Sequence, residues 1–507
     1  MSAVGSPVAP AVAAAPAVSP AAAAAPATAP DDVAAPGGGH RTAALALLVS
    51  AQFVVMLDTS IVNVALPSIQ RDLGLTPAGL AWVVNAYVLA FGGLLLLAGR
   101  VADVVGRRRM LMIGSAVFTL GTLVAGTAST EWLLVAGRVV QGAGAAALSP
   151  AAMALLLVTF PGPARARAMA AWGAASTLGG ASGVLVGGLL AGTVGWSWIF
   201  FATVPVSAIA LVAAPRLLDG TRGAGTRRQF DALGAASVTG AVLALVHAAL
   251  AVPDHGWTSP SVLLGAGVAV ALGVVFLAAE RRAADPLVPL DVFRSRTLST
   301  GVVLAVLGGG TRASTFVLIA LYLQQALRME PQVAGLASVP TSLAGFVVSV
   351  AVLPRVLRVL GPERSMVAGL VVLAGGHLWL ARTPDGGSFV TDVLPGLMLV
   401  ATGVALSFTP TTMVIASAVP AARSGLASGL AGSATQVGAA LGMAAFTAIG
   451  TAATRAVGAA ADFVSGGGFS AVFTAAAVVA LATAALGATL VGRRATPSGL
   501  STADVRR

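Results

Sequence analysis

Of the 507 residues, 57% are hydrophobic and only 9% charged, and the mean hydropathy is +0.93. A soluble domain carries roughly 25% charged residues, so most of this chain must have lipid as its solvent. The net charge of +11 does not mark a nucleic-acid partner, because the arginines lie in short clusters between apolar runs, as topology signals do; the absence of cysteine excludes disulfides and thiolate metal sites.

Residues 1–42 are an Ala/Pro-rich tract containing Gly37-Gly38-Gly39, without the basic start and apolar core of a signal peptide. A disordered cytoplasmic tail is expected there. Beyond it, apolar runs long enough to cross a bilayer, about 20 residues each, fall at 43–67, 79–101, 108–128, 132–159, 166–190, 196–218, 230–252, 260–281, 297–326, 331–353, 363–382, 389–414, 427–452 and 469–492. The spacing thus predicts fourteen transmembrane helices. With the N-terminus inside, the cytoplasmic segments hold 23 of the 29 arginines, and the outer loops hold only Arg71, Arg328, Arg382 and Arg455. That asymmetry is the positive-inside pattern, and it predicts both termini in the cytoplasm. Arg138 and Arg312 fall inside spans.

A repeat runs through the chain at an offset of 255 residues. Arg100-Val101 and Gly106 return as Arg355-Val356 and Gly361, and Gly183 and Gly187 return as Gly438 and Gly442. An all-α architecture follows: a six-helix bundle over 43–218, two inserted helices with cytoplasmic linkers over 219–296, a second bundle over 297–492, and a cytoplasmic tail over 493–507. Repeated halves are how many secondary transporters build a central site that opens alternately to each side.

Asp58 is the one acid well inside a predicted span. A carboxyl at membrane depth is costly and marks a functional candidate, here a proton carrier; the alternative is a structural Asp bonded to Asn63 or to a neighbouring helix. After the second span, Gly99-Arg100-Val101-Ala102-Asp103-Val104-Val105-Gly106-Arg107-Arg108-Arg109 sets Asp103 among four arginines. Such a cluster suits a clamp that holds one conformation shut, or else Asp103 is a helix cap beside topology-setting arginines. In the fourth span Arg138 is a permanent cation with Gln141 one turn away; it needs acceptors, and Asp58 is an available carboxylate, unless Arg138 snorkels to the interface. The fifth span carries Gly179, Gly183, Gly187 and Gly188, a stripe that admits a close helix neighbour and that would form a packing pivot. His247 and His377 lie within spans with no acid nearby in sequence, and are read as packing or hydrogen-bonding residues.

These residues carry a family resemblance that covers roughly 43–492. The chain resembles the fourteen-helix drug:proton antiporter branch of the major facilitator superfamily. Asn63 to Pro67 is similar to that branch's first-helix motif, Gly99 to Arg109 to the superfamily's cytoplasmic loop motif, and Arg138 to Ala146 to the fourth-helix motif. Gly179 to Gly188 resembles the antiporter motif, Trp196 to Phe201 with Pro205 the opening of the sixth helix, and Gly425 to Gly442, with Gln436, the thirteenth helix. Val184 departs from the antiporter motif, which usually has Pro at that place, and Ser197 and Thr435 stand where Arg is usual. The resemblance implies that Asp58 couples protons to export, that Arg138 tunes it, and that Asp103 with Arg107, on the Gly99–Gly106 turn, locks the outward-open state.

Arg312 lies beside Gly308-Gly309-Gly310, and the offset of 255 maps Asp58 to position 313. Arg312 is therefore expected at the depth of Asp58, either pairing with it when the site is empty or binding an acidic group of the substrate; satisfaction by carbonyls of the neighbouring bundle is the alternative. Asn63, Gln141, Arg312 and Gln436 are the candidate cavity residues. The expected function is proton-coupled export of hydrophobic or amphipathic small molecules by a monomer in a bacterial inner membrane, with protons and the lipid bilayer as its other partners and without cofactor or metal. A dedicated exporter of one metabolite or self-made antibiotic is the alternative. A membrane enzyme would need a clustered catalytic set, and the four histidines are scattered; a transport-dead sensor would have lost Asp58 and the loop motif.

Overall fold

A computed structural model describes residues 38–218, 231–283, 286–384, 387–420, 423–457 and 467–491. The expected tails over 1–42 and 493–507 lie outside the described residues, apart from the first helix beginning at Gly38, and so does the linker over 219–230. Among the described residues every regular element is helical, as a chain in hydrocarbon requires, because each backbone N–H and C=O must then be satisfied within its own segment.

The first half comprises α1 (Gly38–Leu73), α2 (Pro77–Val105), α3 (Arg107–Gly126), α4 (Glu131–Thr159), α5 (Pro163–Thr193), α6 (Ser197–Phe201) and α7 (Val204–Leu217). Starts are written locally: the Thr76 hydroxyl accepts from the Gly79 N–H with Pro77 opening α2, and the Thr130 hydroxyl accepts from the Leu133 N–H at the start of α4. One span, expected over 196–218, is divided into α6 and α7, with Pro205 opening the second piece, where its missing N–H costs nothing. The helix of α5 runs unbroken through position 184, where the antiporter motif usually has Pro.

The inserted pair is α8 (Ala232–His255) and α9 (Pro260–Arg282), capped by Asp231 and Ser259. The second half comprises α10 (Arg296–Gln325), α11 (Pro331–Ala337), α12 (Val339–Val347), α13 (Leu353–Leu380), α14 (Leu394–Ser417), α15 (Ser424–Val457) and α16 (Gly468–Ala488). Wide π-type turns at Val348–Val352 and Phe389–Val393 lead into α13 and α14.

Thirteen helical stretches among the described residues are long and apolar enough to cross a membrane. The longest, Val333–Leu380, has 48 residues and is broken at Gly361, whose φ of 74° is left-handed, with Pro362 next. It is two spans joined by a one-residue hinge, which brings the spans to the expected fourteen. The tenth span was expected to end at 353; it continues as helix to this hinge, so Arg355 and Arg358 sit on a projecting helical turn rather than in a loop. Long arginine stems let a helix extend past the hydrocarbon edge in this way.

The halves repeat their packing. In the first, α1 packs on α5, α3 on α4, and both α1 and α3 on α7; in the second, α10 packs on α15, α13 on α14, and both α10 and α13 on α16. The repeated glycines occupy the same seam twice: Gly183 and Gly187 meet Leu57, Ser60 and Ile61 of α1, and Gly438 and Gly442 meet Val306 and Gly310 of α10. Each half has its own apolar core, one around Leu48, Phe118 and Leu148 and the other around Leu323, Leu373 and Phe473. Large apolar side chains left outside, such as Leu189, Ile209, Leu264 and Val270, face outward, the arrangement that lipid rather than water rewards. The α8–α9 hairpin lies outside both bundles and straddles them, because α8 packs on α2 of one and α15 of the other.

Candidate functional site

Asp58 is fully buried at the level where α1 faces α4. Its Oδ2 accepts from Arg138 Nη1 at 2.7 Å and its Oδ1 accepts from Gln141 Nε2 at 2.6 Å. Arg138 Nη1 also donates to Gln141 Oε1 at 2.7 Å, and Arg138 Nε donates to the Val83 carbonyl of α2 at 3.1 Å. Gln141 Nε2 further donates to Thr122 Oγ1 of α3 at 2.9 Å. The guanidinium lies over the Tyr87 ring, 4.3 Å from its centroid, a cation–π contact that holds the charge in an apolar setting. Helix register makes this set: Arg138 and Gln141 are one turn apart on α4 and reach the same carboxylate from one face. Gly121 lets α3 come close enough for Thr122 to join, since a Cβ there would overlap the Gln141 backbone.

Chemically, this network is a closed, charge-neutral pair inside one bundle. Adding a proton to Asp58 would cancel its attraction for Arg138, and the guanidinium would need other acceptors. The charge state of Asp58 is thereby tied to the contact of α1 with α4.

A second constellation lies between the bundles. Asp103 accepts from the Gly425 N–H at 3.0 Å and from the Leu426 N–H at 2.9 Å, so a carboxylate of α2 caps the N-terminus of α15 in the other half. The unsatisfied N–H groups and the dipole at a helix start favour an anion there. Arg107 donates to the same carboxylate through Nε at 3.2 Å and Nη2 at 3.1 Å, holding it in place. The helices can approach this closely because Gly99 faces Gly425 and Gly429, leaving no side chain between the backbones. Gly106, at a φ of 105°, makes the tight turn from α2 into α3 that sets Arg107 beside Asp103. Ser428 Oγ donates to the Pro150 carbonyl of α4 at 3.0 Å, and Ala170, Leu353, Leu357 and Leu406 form an apolar seal between α5 and the second half. All these contacts fall at the end of the molecule that carries the arginine-rich turns, and they hold the bundles together there.

The remaining candidates divide. Asn63 is exposed, its Nδ2 donating to the Thr59 carbonyl of its own helix at 3.0 Å, and is not joined to Asp58. Gln436 sits against Gly92 of α2, at the seam between bundles. The stripe of Gly179, Gly183 and Gly187 fastens α5 to α1 within one bundle, with Gly188 near Val64; towards the other half, Gly173 and Thr177 of α5 meet Thr409 and Gly345, beside the Ala170 seal. Arg312 does not reach Asp58, whose oxygens are taken by Arg138 and Gln141; it is buried near the Phe408 ring of α14 at 5.7 Å, and its Nε and Nη1 have no hydrogen-bond partner. His377 is bonded to Thr315 Oγ1 at 2.6 Å, joining α13 to α10, and His247 stacks on Trp82 with ring centroids 6.2 Å apart.

Sequence reasoning missed the Gly425–Leu426 N–H pair, Thr122, the Tyr87 ring and Phe408. Backbone donors carry no side-chain signature, so only the glycine-rich start of α15 hinted at the first. Tyr87 did carry a signal, being one of only two tyrosines in the chain. Among the described residues no cluster of three His, Asp or Glu side chains could hold a metal ion.

Comparison with known proteins gives a consistent result. The family model described as Major Facilitator Superfamily matches residues 48–443. The cephamycin export protein CmcT of Amycolatopsis lactamdurans is 36% identical over 80% of this chain and 84% of its own length. The puromycin resistance protein pur8 of Streptomyces alboniger is 37% identical over 79% and 80% respectively, and the multidrug resistance protein Stp of Mycobacterium tuberculosis (strain CDC 1551 / Oshkosh) is 35% identical over 80% and 75%. Among solved structures, the human organic anion transporter MFSD10 (TETRAN) superposes with a TM-score of 0.66 over 88% of this chain and 99% of that one, at 14% identity, a likeness of fold alone.

Proposed function

The chain belongs to the major facilitator superfamily, and on that premise we propose that it exports amphipathic small molecules in exchange for protons, by alternating access between its two halves. The observation that carries this reading is the buried Asp58–Arg138–Gln141 network. It is a protonatable group inside the membrane whose charge is balanced only while it is unprotonated. Loading a proton releases Arg138; releasing the proton restores the pair. The relatives named for antibiotic export and drug resistance support efflux as the direction of transport.

The arginine distribution supports both termini in the cytoplasm of a bacterial inner membrane. The Asp103 clamp then lies at the cytoplasmic end, and the structure corresponds to the state closed to the cytoplasm. Asp103 with Arg107, and the glycine crossing of Gly99 with Gly425, form the cytoplasmic gate; Asp58 with Arg138 forms the proton-coupling site. The protein works as a monomer, without cofactor and without enzymatic activity.

The test is proton release from acidified inverted membrane vesicles on adding a panel of amphipathic compounds. Wild type is expected to release protons and Asp58→Asn to release none. Equal responses from both would place the proton on another group and overturn the mechanism. A second reading, export of a single self-made antibiotic, is favoured by the relatives named for cephamycin export and puromycin resistance; it predicts proton release by one compound class only, with the same dependence on Asp58.

A further inference from the structure

The mid-membrane charges do not balance. Among the described residues, the buried ionic side chains at this depth are Asp58, Arg138 and Arg312, while Arg100, Arg107 and Glu280 lie towards the arginine-rich end. Asp58 and Arg138 neutralise each other at 2.7 Å. Arg312, only 4% exposed, is left as one uncompensated positive charge. Its Nε and Nη1 are buried with no acceptor. A buried guanidinium without acceptors is strongly disfavoured unless something supplies them, and no carboxylate of the described residues does.

The placement of Arg312 fits a ligand rather than a missing structural partner. Gly309 and Gly310 seat α10 on Thr435, Gly438 and Gly442 of α15, while Arg312 lies on a different face, its guanidinium folded back over Gly308 and near the half-buried Phe408 ring of α14. The next residue of α14, Thr409, meets Gly173 of α5 across the bundle interface. Arg312 and Phe408 therefore lie in the second half, with Phe408 one residue along α14 from a contact with the first. In the internal repeat Arg312 is one residue from the counterpart of Asp58, so the two halves present a compensated carboxylate on one side and an uncompensated cation on the other.

We propose that Arg312 is an anion-binding residue of the transport site, taking the carboxylate, or an oxyanion of equal geometry, of an amphipathic substrate whose apolar body lies against Phe408. The proposal rests on the exporter reading above and narrows its substrate class. The planar guanidinium offers two parallel N–H donors, the fork that matches a carboxylate bidentately. A cationic substrate would meet the like charge of Arg312, and an ester would offer its donors one neutral carbonyl in place of two charged oxygens, a weaker bond.

The experiment uses three probes with one aromatic body: 1-pyrenebutyrate, its methyl ester and 1-pyrenebutylamine. Equilibrium binding to the purified full-length protein and proton release in inverted vesicles are measured for wild type, Arg312→Gln and Arg312→Lys. Wild type is expected to bind the carboxylate at least about tenfold more tightly than the ester. Arg312→Gln abolishes that preference and Arg312→Lys keeps part of it. Arg312→Gln also raises the Tm of the ligand-free protein, because it removes an uncompensated buried charge, whereas loss of a structural arginine would lower it. No preference for the carboxylate in wild type, a preference unchanged in Arg312→Gln, or a lowered Tm with preference retained would each overturn the proposal. If the preference depends on Arg312 but no probe elicits proton release, the anion site stands and the antiporter reading falls. If release occurs with no Arg312-dependent preference, export stands and the anion site falls.

Discussion

At the scale of single residues, the energetics turn on how each buried charge is answered. Arg138 has a carboxylate, an amide oxygen, a backbone carbonyl and an aromatic face around it, and Asp58 has both oxygens engaged. Removing one partner of such a pair strands the other and costs about 3–5 kcal/mol, whereas replacing both with neutral groups of similar volume is often close to neutral. Arg138→Gln alone is therefore expected to lower stability by about that amount. The double variant Asp58→Asn/Arg138→Gln is expected to recover most of the loss. Chemical denaturation of the purified protein in a double-mutant cycle reads the coupling; additive losses would show that the two charges do not sustain each other.

At the scale of elements, the same helix type does two jobs with glycine. Within the bundles, Gly183 on α1 and Gly438 on α10 bring helices into close contact; between the bundles, Gly99 on Gly425 allows a contact that the proposed transport cycle would also break. On the proposed cycle its polar chemistry would make the second one reversible: two N–H donors at a helix start are held by one carboxylate, a bond that water can replace if the helices separate. Asp103→Ala removes those two charge-assisted bonds, each contributing roughly 1.5–3 kcal/mol at most. It is expected to raise the labelling rate of a thiol introduced by Ser428→Cys, with a water-soluble maleimide, by about tenfold or more. The chain has no native cysteine, so the reporter reads one site. An unchanged rate would show that the apolar seal alone keeps this end shut.

At the scale of the whole molecule, two cores of similar packing meet along a narrow seam, and α8 covers that seam from outside. Since α8 touches α2 and α15 together, the inserted hairpin must follow any movement of one half against the other; its large exposed apolar side chains on α9 give it lipid as its outer neighbour. A Cβ at Gly92 would lie 3.4 Å from the Cβ of Gln436 across the seam, close to the span of a disulfide, about 3.5–4.5 Å. The pair Gly92→Cys/Gln436→Cys is therefore expected to oxidise readily and to stop transport, with activity restored by reductant. Full transport by the oxidised protein would mean that α2 and α15 do not separate during the cycle.

The apolar runs and the arginine clusters determined the membrane class and the helical spans, because lipid burial and topology are set by local composition. The repeat of Gly183 and Gly187 as Gly438 and Gly442 even located the equivalent seams. Asp58, Arg138 and Gln141 were legible as candidates because polar groups at membrane depth are costly wherever they stand. Which of them meet was not legible, since Asp58 and Arg138 are 80 residues apart and two cations competed for one acid. Only the packing of α1 against α4 decided that Arg138 takes the carboxylate and that Arg312 is left facing Phe408. The partner of Asp103 was likewise decided by tertiary structure, because a backbone N–H becomes an anion site only when a helix start is brought to the acid.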